Sequence, residues 1–170
     1  MNQELKQLTK QEKNNLGTTE ISKLIKQQFK KEFPSCKFSV SSSYYSGGSS
    51  ISVYLMESNI KIIKDFEDIS ESTLFGYESR NYTKEQIKDF QNNKHHQLNQ
   101  YTLREDFNED NWCNGVFLTE EGFKLLKRVV EIVDYYNYDE SDSQTDYYCV
   151  NFSFHIGLGK WDKPFLEVLE

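Results

Sequence analysis

Residues 36-CKFSVSSSYYSGGSSISVYL-55 decide the fold. Cys36, Phe38 and Val40 alternate with polar neighbours, and Ile51, Val53 and Leu55 do so again. Apolar residues at every second position mark a strand that buries one face and wets the other. The Ser/Tyr/Gly stretch 41-SSSYYSGGSS-50 lies between the two runs, which therefore read as an antiparallel hairpin. The connection reads as longer than a tight two-residue turn and is expected to project as a flap.

Upstream, Ile21, Leu24, Ile25, Phe29 and Phe33 recur at helical spacing. Thr18 is placed to cap this helix, Glu20 falls in its first turn, and Pro34 stops it. Residues 1–17 read as a frayed or flexible N-terminal arm. Downstream, Ile60, Ile63 and Phe66 point to a second, short helix. Residues 70–115 carry little periodicity and read as a variable elaboration of loop and short helix, peripheral to the core. The clearest helix follows Thr119 and runs to about Asn137. Phe123, Leu126, Val130 and Val133 form its stripe, and Leu125, Val129 and Ile132 widen it. A stripe that wide belongs to a helix buried against a sheet. The last strand is sharply marked: Val150, Phe152, Phe154 and Ile156 point one way, Cys149, Asn151, Ser153 and His155 the other. Residues 160-KWDKPFLEV-168 add an edge strand. The order predicts a single α+β domain over residues 18–170, a small antiparallel sheet with helices packed on one face.

Composition bounds the function. The chain has 170 residues, about one domain, and 15% aromatics to fill a core. Net charge is −7 but unevenly spread. Residues 1–64 hold ten lysines against five acids, giving +5; residues 65–170 hold ten basic residues against 22 acids, giving −12. The acidic part argues against a wholly basic, nucleic-acid-wrapping protein. Cys36, Cys113 and Cys149 are odd in number and widely spaced, as reduced thiols of a cytosolic protein would be. The polar opening 1-MNQELKQLTKQEKNN-15 lacks a secretory apolar stretch, and no run approaches the ~18 apolar residues of a membrane span. The expected location is cytoplasmic, without membrane association.

No motif for bond chemistry stands out. Asp139, Asp142 and Asp146 crowd one stretch, but without the central Gly or twelfth-position Glu of a calcium loop. Such residues also make turns by bonding their own backbone. His95 and His96 are adjacent and lack zinc spacing. Cys149 and His155 share a strand face but lie about 20 Å apart at ~3.3 Å per residue. Gly157-Leu158-Gly159-Lys160 lacks the spacing of a phosphate loop. No catalytic residue, metal or cofactor is assigned, and a non-enzymatic chain is expected.

Binding reads more easily. Between Arg128 and Lys160 there is no Lys or Arg. The same stretch contains Asp139, Glu140, Asp142 and Asp146 beside Tyr138 and Tyr147, with Trp161 following. Uncompensated acids among large rings suit a cationic partner surface, because opposite charge steers association and tyrosine anchors it. The alternative surface is the first helix, whose Lys23, Lys26 and Lys30, with Tyr44 and Tyr45 nearby, suit a nucleic acid.

Three blocks together carry a family resemblance: 21-ISKLIKQQFKKEFPSCKFSV-40, 47-GGSSISVYL-55 and 137-NYDESDSQTDYYCVNFSFHIGLGKWDKPF-165. The chain resembles the large polyvalent protein associated domain of type twenty-nine across roughly residues 18–165. It departs where relatives carry Asp-Gly-Pro and this chain has Glu57-Ser58-Asn59. The resemblance implies a protein of phages, plasmids or conjugative elements, engaged in conflict with the host, and implies no catalytic activity. With the acidic surface, it leads to the expectation of a stoichiometric inhibitor of host defence. The partner would be a CRISPR effector or a restriction nuclease. An accessory nucleic-acid-binding module is the alternative.

Overall fold

The computed structural model describes residues 8–9, 12–13, 15–78, 80–108, 113, 116–138, 144 and 150–169. The first helix, α1 (Thr18–Glu32), is capped one residue before the expected Thr18: Gly17 is the N-cap, and the Glu20 carboxylate reaches back to accept from its N–H at 3.0 Å. Thr18 turns inward instead, its hydroxyl 2.7 Å from that of Ser49. Ile21, Ile25 and Phe29 are buried, and Phe29 packs on Phe38 with ring centres 4.6 Å apart.

Strands β1 (Lys37–Tyr45) and β2 (Gly48–Ser58) pair antiparallel from Lys37↔Glu57 to Tyr45↔Gly48. The expected flap is therefore strand. Only Ser46 and Gly47 connect the two, with Gly47 at φ 96°, the left-handed value that a turn asks of a residue without Cβ. The serine run was misleading because its side chains are small and polar on both faces of an edge strand.

Ile60 to Phe66 form no regular α-helix. Ile63 bridges Leu118 in extended backbone, and only a 3-10 turn follows at Phe66–Asp68. Next come α2 (Glu71–Glu78) and α3 (Lys84–Asn92), the latter capped by Thr83, whose hydroxyl accepts from Gln86 N at 3.2 Å. The polar segment after α3 contains β3 (His96–Leu98), too short to show a period. Helix α4 (Glu120–Tyr136) is capped as its sequence predicts, Thr119 accepting from Gly122 N at 2.9 Å. β4 (Ser153–Leu158) and β5 (Leu166–Glu167) complete the chain.

The α+β class holds, but the sheet is mixed rather than antiparallel. Its order is β1-β2-β4-β3, with β5 beside β2; β4 and β5 run parallel to β2, and β3 antiparallel to β4. A parallel pair needs a long crossover, here residues 59–152 with α4 inside it. Strand direction relative to a distant partner leaves no trace in local alternation.

The inward faces of β2 and β4 share one core with α1 and α4: Ile51, Val53, Leu55, Phe154, Ile156 and Leu158 against Ile25, Phe29, Leu126 and Val130. Residues from the 70–115 stretch join it, namely Leu98, Leu103 and Cys113, so that stretch is less peripheral than its composition implies. A second small cluster gathers Ile69, Leu74, Ile87 and Phe117. Among the described residues, no helix is long and apolar enough to cross a membrane.

Candidate functional site

Of the expected acidic surface, Asp139, Glu140, Asp142, Asp146 and Tyr147 lie outside the described residues. The two ends of that segment are visible and stitched together. Asn151 N donates to Tyr138 O at 3.0 Å, Asn151 Nδ2 to Tyr136 O at 3.1 Å, and Phe152 N to Asn137 Oδ1 at 3.2 Å. Residues 136–138 at the end of α4 are thus tied to residues 151–152 ahead of β4, with Tyr138 half-buried. Trp161 is not at that junction. It lies past the other end of β4, a strand about 17 Å long at ~3.3 Å per residue.

The lysine set fares differently. Lys23, Lys26 and Lys30 are exposed on α1. Tyr44 and Tyr45, adjacent on β1, point to opposite faces because the strand period is two. Tyr44 reaches the head of α1, where Thr19 N donates to its hydroxyl at 3.3 Å and hydrogen bonds from Thr19 pull the phenol's pKa below its usual value. The Tyr45 hydroxyl sits 3.0 Å from that of Ser153, on the face turned away from the helices.

The fold brings Lys26 to a groove of about 500 Å³ that Lys37, Lys160 and Lys163 also line, with Glu57 and Asp162 the acids beside them. Lys37 pairs with Glu57 at 2.5 Å; among the described residues, Lys26, Lys160 and Lys163 have no carboxylate within salt-bridge distance. Lys160 instead places its ammonium over the Tyr54 ring, 5.6 Å from the centre, where the electron-rich face attracts a cation.

Of the expected edge strand over residues 160–168, only Leu166–Glu167 is strand, β5 beside β2; residues 160–163 ahead of it form a two-residue turn. Lys160 N donates to Lys163 O at 2.7 Å and Lys163 N to Lys160 O at 3.1 Å. Gly159, at φ 59°, feeds this turn; a Cβ there would lie 2.3 Å from Lys94 O. Trp161 stands at the tip with 91% of its surface exposed. Trp161 is flanked by Lys160 and Asp162, with Lys163 beyond, all three of which line the groove.

Sequence reasoning missed Lys37, Lys160 and Lys163 because each is isolated in the chain. The one available signal was Gly159-Lys160-Trp161-Asp162-Lys163-Pro164, whose Gly and Pro punctuate a turn.

The outward sheet face adds a polar floor. Ser41, Ser52 and His155 are register partners across three strands, and Ser43, Ser50 and Ser153 form the next row. Among the described residues, no helix covers this face. A second groove, about 790 Å³, runs past His155, Tyr101 and Arg104. Its charge is neutralised internally, since Arg104 grips Asp134 through two 2.8 Å bonds that raise the guanidinium's pKa further. The described thiols are poor nucleophiles: burial raises the Cys36 pKa and pushes Cys113 up to about 11.

This is an α+β domain with a mixed sheet, one helix-covered face and a lysine-rimmed groove, of the class associated with large polyvalent proteins. The chain belongs to the large polyvalent protein associated domain 29 family, whose model matches residues 16–110. Membership associates it with phages and other mobile elements. The matched stretch contains α1, the hairpin and most of residues 70–115; it ends before the block 137–165. No curated protein and no solved structure matches the chain.

Proposed function

We propose that the chain is a non-enzymatic binding module whose partner is a nucleic acid. The supporting observation is the gathering of Lys26, Lys37, Lys160 and Lys163, from three separate segments, around one groove. Of these, Lys26, Lys160 and Lys163 have no carboxylate within salt-bridge distance among the described residues and keep their charge available for phosphates, and releasing condensed counterions drives such binding. Lys23 and Lys30 extend the same charge along α1. Retention of labelled DNA and RNA oligonucleotides on filters tests the reading. The wild-type protein should retain them at low salt, and Lys23/Lys26/Lys30→Ala should retain far less. Failure to retain any oligonucleotide contradicts it.

A second reading keeps the stoichiometric inhibitor of host defence, a CRISPR effector or restriction nuclease being the partner. It is favoured by the stretch from Arg128 to Lys160, which has acids but no Lys or Arg. Family membership in mobile-element proteins agrees with it. Here the protein should co-purify with a defence effector, and Asp139/Asp142/Asp146→Asn should weaken that complex.

A further inference from the structure

We infer that the nucleic acid is single-stranded and that Trp161 is the platform on which one of its bases stacks. The inference rests on the nucleic-acid reading above and narrows it.

A lone exposed ring is ordinary on a protein surface. The setting of Trp161 is not. The ring sits on a turn closed by reciprocal backbone hydrogen bonds, so its base is held rather than loose. Lys160 and Lys163 bracket it, and both line the groove with Lys26 and Lys37. With 91% of the residue exposed, the indole has no described apolar neighbour to pack on, yet it carries the largest apolar surface of any side chain. A stacked base would cover that surface, while the flanking ammonium groups would meet the phosphates on either side.

A duplex offers no such fit. Its bases are already stacked on each other, and a ring on a two-residue turn would meet only the backbone. The adjoining surface also suits an extended strand. From Lys37 to Tyr45 the outward face of β1 runs about 26 Å at ~3.3 Å per residue. It carries Ser39, Ser41 and Ser43, small hydroxyls that leave the backbone of a single strand room to lie flat. Tyr45, 52% exposed, closes the far end on that same face.

The test uses the full chain, a fluorescein-labelled 15-nucleotide single strand and the corresponding 15-base-pair duplex, at low salt. Anisotropy gives affinity, and indole fluorescence reports stacking. The single strand should quench indole emission in the wild type, and W161A should abolish that quench. W161A should also weaken single-strand binding by roughly five- to 150-fold, the range that loss of one stacked base gives, and leave duplex binding unchanged. Circular dichroism should show the W161A fold intact, since the side chain is exposed. Equal binding of single strand and duplex with W161A silent overturns this inference and leaves the nucleic-acid reading standing. Binding of neither overturns both.

Discussion

The Lys160 ammonium stands 5.6 Å from the centre of the Tyr54 ring. That geometry has its origin one strand away. Tyr54 pairs in register with Gly157, and its ring lies where a Gly157 side chain would be. A Cβ there would come 2.9 Å from Tyr54 Cδ1 and 2.6 Å from His96 O. The missing side chain on β4 seats a tyrosine from β2, and that tyrosine holds a lysine at the mouth of the groove. Glycine here serves packing across three strands.

Gly157→Ala is accordingly expected to destabilise. The His96 carbonyl is backbone and must move, and overpacking of this kind costs about 1–3 kcal/mol. For a chain of this size the melting temperature should fall by roughly 2–4 °C per kcal/mol. A thermal melt unchanged from wild type would contradict the seating of β3 against β4.

Gln91 sews the second cluster to the rest. Its Nε2 donates to Lys64 O at 2.9 Å and Phe117 O at 3.2 Å, and its Oε1 accepts from Phe117 N at 2.8 Å. Gln91→Leu should cost about 1–3 kcal/mol, because buried backbone groups lose these partners. Hydrogen exchange checks it: the Phe117 amide should exchange faster in the variant than in the wild type.

His96 is buried, with its Nε2 2.8 Å from Asn93 O. Burial lowers its pKa from 6.5, with smaller downward pushes from His95 and Lys94. Its unfolded form therefore takes a proton before its folded form. The stability it contributes is fully present above about pH 6.5 and is lost as pH falls from there through the lowered folded value. His96→Gln should lose less stability than wild type between pH 7.5 and pH 5 in urea titrations. Parallel curves would contradict the assignment.

Cys113 has a pKa of about 11, so at pH 8 only about one molecule in a thousand carries its thiolate. Ellman's reagent should modify it slowly in the native protein and quickly in denaturant. The half-buried Cys36 should react before it. Native-state modification of Cys113 at the rate of a free thiol would contradict its burial.

Where local period and burial agree, the sequence was legible. The stripe of α4 is apolar enough to cross into the core on every turn, and Thr119 marks its start. α1 read equally well, except that Gly17 and Glu20 share the cap expected of Thr18. The hairpin read correctly but its tip did not, since serines give no clue to whether they line a strand or a loop. β3 has three residues and buries two, His96 and Leu98, a signal too short to see. The parallel pairing of β2 with β4 and the meeting of Lys26 with Lys160 depend on where the chain returns after 90-odd residues. Neither is encoded in any local window. Lys23, Lys26 and Lys30 were visible as a helical surface; the groove that gives Lys26 its company was not.

The central claim is that lysines on one groove hold a polyanion. Its most direct measurement is the affinity for a single-stranded oligonucleotide as a function of salt, for wild type and for Lys37/Lys160/Lys163→Ala. Log affinity should fall linearly with log salt in the wild type. Each phosphate contact removed should flatten the slope by about 0.7, up to roughly two units for the triple variant. No binding at low salt, or a triple variant with the wild-type affinity and slope, would contradict the account.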